Sequence, residues 1–352
     1  MNKINEEYII APGETISELL EVNSMTQLDL AMKLGINKKT INEIIKGKAP
    51  ITTSTAMKLE YVFHIPANFW NNLEIQYRET LERQKDLSSI KEDETKLSTI
   101  PYLEMSKRGW NYIKKTNDKY ERVINLRNFF SVGSLSFNTE LKNRLLFRKK
   151  DNLNLSIESL YCYIRYGEIM SCSDVYPKFN NLLLKSKVND IRKLCNNKFL
   201  SVIDDIKLIL KECGISLVYE PALPHTYVNG LSYKITSDKA IIMISDKGKR
   251  DDILWFTLFH EICHLIKHSK KELFIDEVDT NLNDIEIEAD NYAKNILIDK
   301  NNYNNFLKNK ISKNSIIKFC KENNINTGIL VGRLQKDNII KWNEYNDLVY
   351  RI

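Results

Sequence analysis

Apolar residues recur every three or four positions along most of the chain, with polar residues between them. This period is typical of amphipathic helices. It is clear over residues 1–80, fades in the charged stretch 81–103 and returns over residues 104–198. We therefore predict a helical domain over 1–80, a linker or exposed helix over 81–103 and a helical middle region over 104–198. The pattern leaves the role of the middle region open.

The pattern changes after the middle region, and the change predicts a last domain over residues 199–352. A helix that ends near Gly214 is followed by the segments ISLVYE, YVNGLSYKI and KAIIMIS, which are typical of strands. The next segment, DDILWFTLFHEICHLIKH, is apolar almost all round and predicts a buried helix. After about 20 residues, NDIEIEADNYAKNILI predicts another helix. The predicted fold class is α+β, mainly α, with a small sheet.

The composition argues against a membrane-spanning, an exported or a disulfide-linked protein. The 352 residues are 43% hydrophobic and 28% charged, as in ordinary globular proteins. The chain has no apolar run long enough to span a bilayer, and its first residues lack the features of an export signal. The six cysteines are scattered, with no CxxC pair, which indicates free thiols. We therefore expect a cytoplasmic protein with no membrane association.

The clearest candidate for chemistry is HEICH at residues 260–264, an HExxH motif. Positions four apart share one face of a helix, so the imidazoles of His260 and His264 could reach one metal ion. Catalytic zinc accepts such imidazoles and takes three protein ligands. Glu261 could then act as the general base. The alternative is a pair of core histidines bonded to backbone, but burying two imidazoles and a carboxylate without a partner would be costly.

The third metal ligand is expected from the following helix, where EIEAD offers Glu286 and Glu288. Glu286 and Asp290 share a face with small alanines, whereas Glu288 points about 160° away. We predict Glu286 as the ligand and Asp290 as a residue that hydrogen-bonds a ligand histidine; a solvated acidic face is the alternative. His268 lies about 6 Å beyond His264 along the axis, so we predict a helix-end residue or an outer partner of the ligands.

A second candidate site lies in QLDLAMKLGINKKTINEIIKGK, residues 27–48. A small residue, a turn glycine and apolar anchors stand at the offsets of a helix-turn-helix unit, at Ala31, Gly35, Ile36, Ile41 and Ile44. The second helix is predicted to begin near Asn37, and lysines cluster along it, which suits phosphate contacts. The alternative is an ordinary helical hairpin with a solvated lysine face. The candidate DNA contacts are Gln27, Lys38, Lys39, Thr40, Asn42 and Lys46.

Both sites resemble known families. WFTLFHEICHLIKH, with EIEADNYAKNILI after it, resembles the ImmA/IrrE metallopeptidases, whose pattern is FTxxHExxHxxxH followed by ExEA[ND]xFAxxLLxP. The resemblance spans about residues 200–340 and implies zinc on His260, His264 and Glu286, with Glu261 as general base. The chain departs from the pattern at Tyr292 (usually Phe), at LIDK (usually LLMP) and at Cys263 (usually a small residue). These departures concern packing more than metal ligation.

The N-terminal part resembles Xre-type antitoxin repressors of the HigA group. The resemblance runs from the PGE start at residue 12 to an ending of the form xxFWxNLQxxY, filled here by Phe69, Trp70, Leu73 and Tyr77. It implies binding to double-stranded operator DNA, plausibly as a homodimer.

These observations predict a transcriptional regulator that binds DNA and carries a zinc-dependent metallo-endopeptidase domain. The resemblance implies that the substrate is a protein such as a repressor, cleaved in trans or within the same chain. The alternative is a non-catalytic antitoxin-type repressor of a toxin–antitoxin system, whose metal domain senses or binds a partner such as a toxin. Glu261 favours the enzyme, because it is not needed to hold zinc.

Overall fold

The computed structural model describes residues 11–135, 156–268 and 282–352, and the chain divides into two compact units. The first unit is Met1–Thr95 and the second is Lys96–Ile352. The sequence predicts a connection between the helix that carries HExxH and the helix that carries EIEAD. Most of this connection, residues 269–281, lies outside the described residues. No helix within the described residues is long and apolar enough to cross a membrane.

The described part of the first unit is helical. Its helices are α1 (Pro12–Val22), α2 (Gln27–Leu34), α3 (Lys38–Ile45), α4 (Thr53–Phe63) and α5 (Ala67–Glu94). Their apolar faces meet in one core, which buries Leu30 and Ile41 from the two central helices and Trp70 from α5. The C-terminal part of α5 covers residues 81–94, within the stretch 81–103 for which the sequence predicts a linker or exposed helix.

Local sequence signals set the geometry between α2 and α3. Thr26 and Asp29 form a reciprocal capping box at the start of α2, which satisfies backbone donors that the helix leaves unpaired. Gly35 ends α2 with a φ of 62°, a left-handed conformation that glycine adopts without steric cost. Asn37 caps α3, with its side-chain oxygen accepting the Lys39 N–H at 2.8 Å.

The second unit combines helices with a small sheet. The elements are α6 (Tyr102–Lys107), α7 (Lys119–Phe130), α8 (Ile157–Ser171), α9 (Asn181–Lys193), α10 (Ile203–Glu212), β1 (Ile215–Tyr219), β2 (Gly230–Thr236), β3 (Lys239–Ile244), α11 (Asp251–Lys267), α12 (Leu282–Leu297), α13 (Lys300–Leu307), α14 (Lys313–Glu322) and α15 (Thr327–Lys336). Short 3₁₀ turns occupy Thr95–Ser98, Leu194–Asn196, Phe199–Ser201 and Asn346–Leu348. The predicted class, α+β and mainly α, is confirmed.

The sheet has the strand order β1-β3-β2, with β1 parallel and β2 antiparallel to β3. Both of its faces are buried, which explains the nearly continuous apolar runs in β1 and β3. One face, with Leu217 and Ile242, packs into the same core as α11. The other face, with Ile241 and Met243, packs against α8 and lies in one core with residues of α7, two helices of the predicted middle region.

The two helices that carry the HExxH and EIEAD segments, α11 and α12, lie against each other. Ala289 and Ala293 of α12 are fully buried, so small side chains face the contact, as the sequence predicts. α11 also packs on β2 and on α15. The HExxH segment is thereby enclosed by elements from several parts of the second unit.

Candidate metal centre and DNA interface

Helices α11 and α12 bring three side chains of metal-ligating type to one point. The Nε2 atoms of His260 and His264 are 3.0 Å apart. Glu286 Oε2 lies 3.0 Å from His260 Nε2, and Oε1 lies 3.6 Å from His264 Nε2. Two ligands that each lie about 2.0–2.1 Å from a tetrahedral zinc ion are about 3.3 Å apart. The three groups therefore fit a zinc ion in both chemistry and spacing.

The electrostatics of this cluster favour a positive charge at its centre. Burial lowers the pKa of His260, but hydrogen bonds with Asp290 and Glu286 outweigh burial and raise that pKa to about 10. Burial raises the pKa of Glu286, but hydrogen bonds from His260 and His264 outweigh it and hold that pKa well below its usual value. A proton on His260 thus meets the same attraction that a bound cation would meet.

Asp290 orients one of the histidines. Its Oδ1 atom lies 3.0 Å from Nδ1 of His260, so the Nδ1–H group can donate to the carboxylate. In the neutral ring this arrangement leaves the lone pair on Nε2, which faces His264 and Glu286. The contact has the geometry of the carboxylate–histidine pairs that support metal ligands.

The structure separates the two glutamates that the sequence offers as a third ligand. Glu288 lies away from the HExxH histidines and contacts Lys267 Nζ at 2.6 Å and His268 Nε2 at 2.8 Å. Glu286 is the one that faces both histidines, although its role as a ligand stays a prediction. His268 caps the C-terminus of α11, at the predicted helix end. Its hydrogen bond goes to Glu288, and its ring centroid lies 5.5 Å from that of His264.

Glu261 is buried beside the cluster, and β2 holds its carboxylate in place. The Ser232 hydroxyl donates to Glu261 Oε2 at 2.6 Å and also lies 3.1 Å from the Glu261 carbonyl oxygen. Gly230 permits this close approach, because a Cβ atom there would lie 2.4 Å from Thr257 Cγ2 and 3.2 Å from Glu261 Cγ. Ser232 was not predicted from the sequence; the available signal was a single polar residue between apolar ones in GLSYKI.

These residues line one cleft. Its volume is about 460 Å³, and the residues at its wall include Ser232, His260, Glu261, His264 and Glu286. A carboxylate, a candidate metal site and space for a substrate therefore occur together. This combination is what hydrolysis of a peptide bond assisted by a metal ion requires.

In the first unit, α3 presents a polar face beside its buried one. Ile41 and Ile44 are buried in the core, which turns the intervening positions outward. Lys39 also lies 3.9 Å from Glu43 in a highly exposed pair, a contact too weak to hold the lysine away from another partner. The predicted DNA contacts are partly or fully exposed; they are Gln27 at the start of α2 and Lys38, Lys39, Thr40, Asn42 and Lys46.

Two family models match parts of the chain. The family model for a helix-turn-helix matches residues 16–70, and the model for the IrrE N-terminal-like domain, a peptidase family, matches residues 210–319. No curated protein matches the chain significantly.

Several solved structures are similar to part of the chain. An addiction module antidote protein of the HigA family from Coxiella burnetii is 30% identical; the match covers 24% of this chain and 94% of that one, with a TM-score of 0.23. The Pseudomonas aeruginosa antitoxin HigA, solved with the higBA promoter, is 26% identical over 24% and 95%, also with a TM-score of 0.23. A putative antidote protein of a plasmid maintenance system from Nostoc punctiforme is 26% identical over 24% and 91%, with a TM-score of 0.23. By its two family matches, the chain joins an N-terminal helix-turn-helix DNA-binding domain to a C-terminal domain of the ImmA/IrrE peptidase family.

Proposed function

We propose that this protein is a cytoplasmic transcriptional regulator whose ImmA/IrrE-like domain is a zinc-dependent endopeptidase. Its substrate is a protein such as a repressor, cleaved in trans or within the same chain. The observation that carries the proposal is the meeting of three ligand-type side chains with the buried carboxylate of Glu261 in one cleft. In this proposal residues 1–80 bind operator DNA and residues 199–352 form the peptidase domain.

The donor set supports zinc as the metal. His260, His264 and Glu286 offer two imidazole nitrogens and one carboxylate oxygen, a set that catalytic zinc sites use. Magnesium and calcium prefer sites built from oxygen ligands alone. Bound by these residues, zinc would polarise a peptide carbonyl and make water more acidic.

The residues of the chain divide the remaining work. Glu261 takes a proton from the attacking water and returns it to the leaving amine. Ser232 donates a 2.6 Å hydrogen bond to the Glu261 carboxylate. This contact fixes the position of the general base. Asp290 keeps the Nε2 lone pair of His260 directed at the centre.

The test compares two substitutions in the full-length protein. We expect His264→Ala to lose zinc in elemental analysis, because it removes a ligand nitrogen. We expect Glu261→Gln to retain zinc but to cleave a neighbouring-gene repressor about 10²- to 10⁴-fold more slowly, the usual contribution of a general base. Cleavage at the normal rate by Glu261→Gln would exclude the peptidase mechanism. A wild-type protein that binds zinc and a partner without cleaving it would instead indicate the antitoxin-type repressor.

We also propose that the protein binds operator DNA as a homodimer. A helix-turn-helix protein that pairs can place two recognition helices on half-sites about 34–36 Å apart. Sedimentation of the protein with a duplex that contains two half-sites tests this stoichiometry. One chain per duplex at saturating protein would contradict it.

A further inference from the structure

A second cavity adjoins the cleft of the candidate metal centre. Its volume is about 230 Å³, and it lies between α11, α12 and α15; we call it the side pocket. It shares four lining residues with the cleft, namely Asn229, Phe256, Thr257 and Lys336. Phe256 lies one helical turn before His260, about 6 Å along the axis of α11, and their ring centroids are 6.1 Å apart. The side pocket therefore lies next to the metal centre.

The walls of the side pocket are mainly apolar. The apolar residues that line it are Ile253, Phe256, Leu297, Ile298, Ile329 and Trp342. Charged residues also line the side pocket. Arg250 donates to Asp252 and to Gln335, each at 2.9 Å, and Arg333 pairs with Asp337, while Lys294 and Lys336 add two further positive charges. Most of the surface of the side pocket is nevertheless apolar, so a large apolar side chain that enters it is removed from water.

The size of the side pocket limits what it can hold. Pockets for drug-sized ligands typically measure about 300–1,000 Å³, and this one is smaller. We infer that the side pocket receives one large apolar side chain of the protein substrate, at a position beside the cleaved bond. The inference rests on the proposed function, since it places that substrate in the adjoining cleft. Occupation of such a pocket is expected to favour a large apolar residue over alanine by about 10- to 100-fold in kcat/KM.

The first test reads the cleavage preference directly. The zinc-loaded protein is incubated with a peptide library made from a digested proteome, and the cleaved bonds are identified by mass spectrometry. We expect enrichment of Leu, Phe, Met and Ile at one position next to the cleaved bond. Ile253→Phe, which narrows the side pocket, should shift the preference towards smaller residues. Trp342→Ala, which removes a wall, should weaken the preference about tenfold.

The matched control is Leu182→Ala, which truncates an apolar residue of α9 outside the side pocket. Leu182 is 78% exposed, compared with 59% for Trp342, so both truncations are expected to leave the fold intact. The control should keep the wild-type preference. Cleavage without apolar enrichment, enrichment of acidic residues, or a preference that neither side-pocket variant changes would overturn the inference.

A second test does not depend on turnover. The same library is passed over immobilised Glu261→Gln, and the retained peptides are sequenced. We expect retained peptides to be enriched in large apolar residues, and Ile253→Phe added to this variant to remove the enrichment. Failure of the wild type to cleave any protein or peptide would refute the proposed function alone. Retention that Ile253→Phe does not affect would refute the side pocket as the binding site.

Discussion

The two glutamates of the EIEAD segment provide a sharp prediction, because they differ by two residues in sequence but face different partners. Glu286 lies within 3.0 and 3.6 Å of the two histidine Nε2 atoms. Glu288 contacts Lys267 and His268 instead. Changing each to glutamine keeps size and helix propensity similar while removing one charge. We expect Glu286→Gln to weaken zinc binding strongly and Glu288→Gln to leave it unchanged.

The expected loss of zinc affinity follows from dividing the free energy of zinc binding equally among the protein ligands. Zinc sites in small domains bind with an apparent free energy of about 10–16 kcal/mol, or about 3 kcal/mol for each ligand at the lower end. The lower end applies here, because the Glu286 side chain is 53% exposed. A loss of about 3 kcal/mol corresponds to an affinity about 150-fold weaker.

The pH dependence of this loss adds an internal check. Zinc must displace the proton that His260 holds below its raised pKa of about 10, so affinity rises with pH in the wild type. Glu286 is one of the groups that raise this pKa, so Glu286→Gln also weakens the competing proton. The difference between variant and wild type should therefore grow as pH rises.

The assay is a competition titration of the metal-free protein against a chromophoric zinc chelator at several pH values. Glu288→Gln is the matched control and should agree with the wild type within about twofold, since surface ion pairs contribute little. Equal weakening by both variants, or near wild-type affinity for Glu286→Gln, would refute the assignment of the third ligand.

Two further predictions test the base and the DNA interface. Ser232→Ala should slow cleavage about 10- to 150-fold without loss of zinc, because a hydrogen bond to a charged group contributes about 1.5–3 kcal/mol. Ser232→Thr keeps the hydroxyl and should recover most of the rate, so an equal loss in both variants would contradict the role. Lys38→Ala and Lys39→Ala should each reduce the slope of log affinity against log salt by about 1, while Asn42→Ala should relax sequence preference. The exposed Lys185 provides a lysine control, and operator binding that is unchanged by all three substitutions would exclude α3 from the interface.

The helix-turn-helix segment was predictable because its signals are local. Gly35 and Asn37 set the turn by their own backbone and capping preferences, so the ends of α2 and α3 follow from neighbouring residues. The same holds for the two histidines of the HExxH motif, which a regular helix places on one face.

Contacts between distant segments were not predictable in this way. Ser232 lies 29 residues before Glu261, and only the antiparallel pairing of β2 with β3 and the packing of α11 on β2 bring the two together. The side pocket likewise combines α11 with α15, which are separated by a long stretch of sequence. Periodicity reports which face of an element is buried, but it does not report what lies against that face.

Because both faces of the sheet are buried, the boundaries of a truncated fragment have to be chosen with the covering helices in mind. A fragment cut to residues 210–319, the span of the peptidase family match, would lack α7 and α8. It would leave Ile241 and Met243 in contact with water, together with the rest of that apolar surface. Such a fragment would tend to associate with itself through the bare strands. A fragment intended for biochemical work should therefore begin near Lys96, where the second compact unit begins.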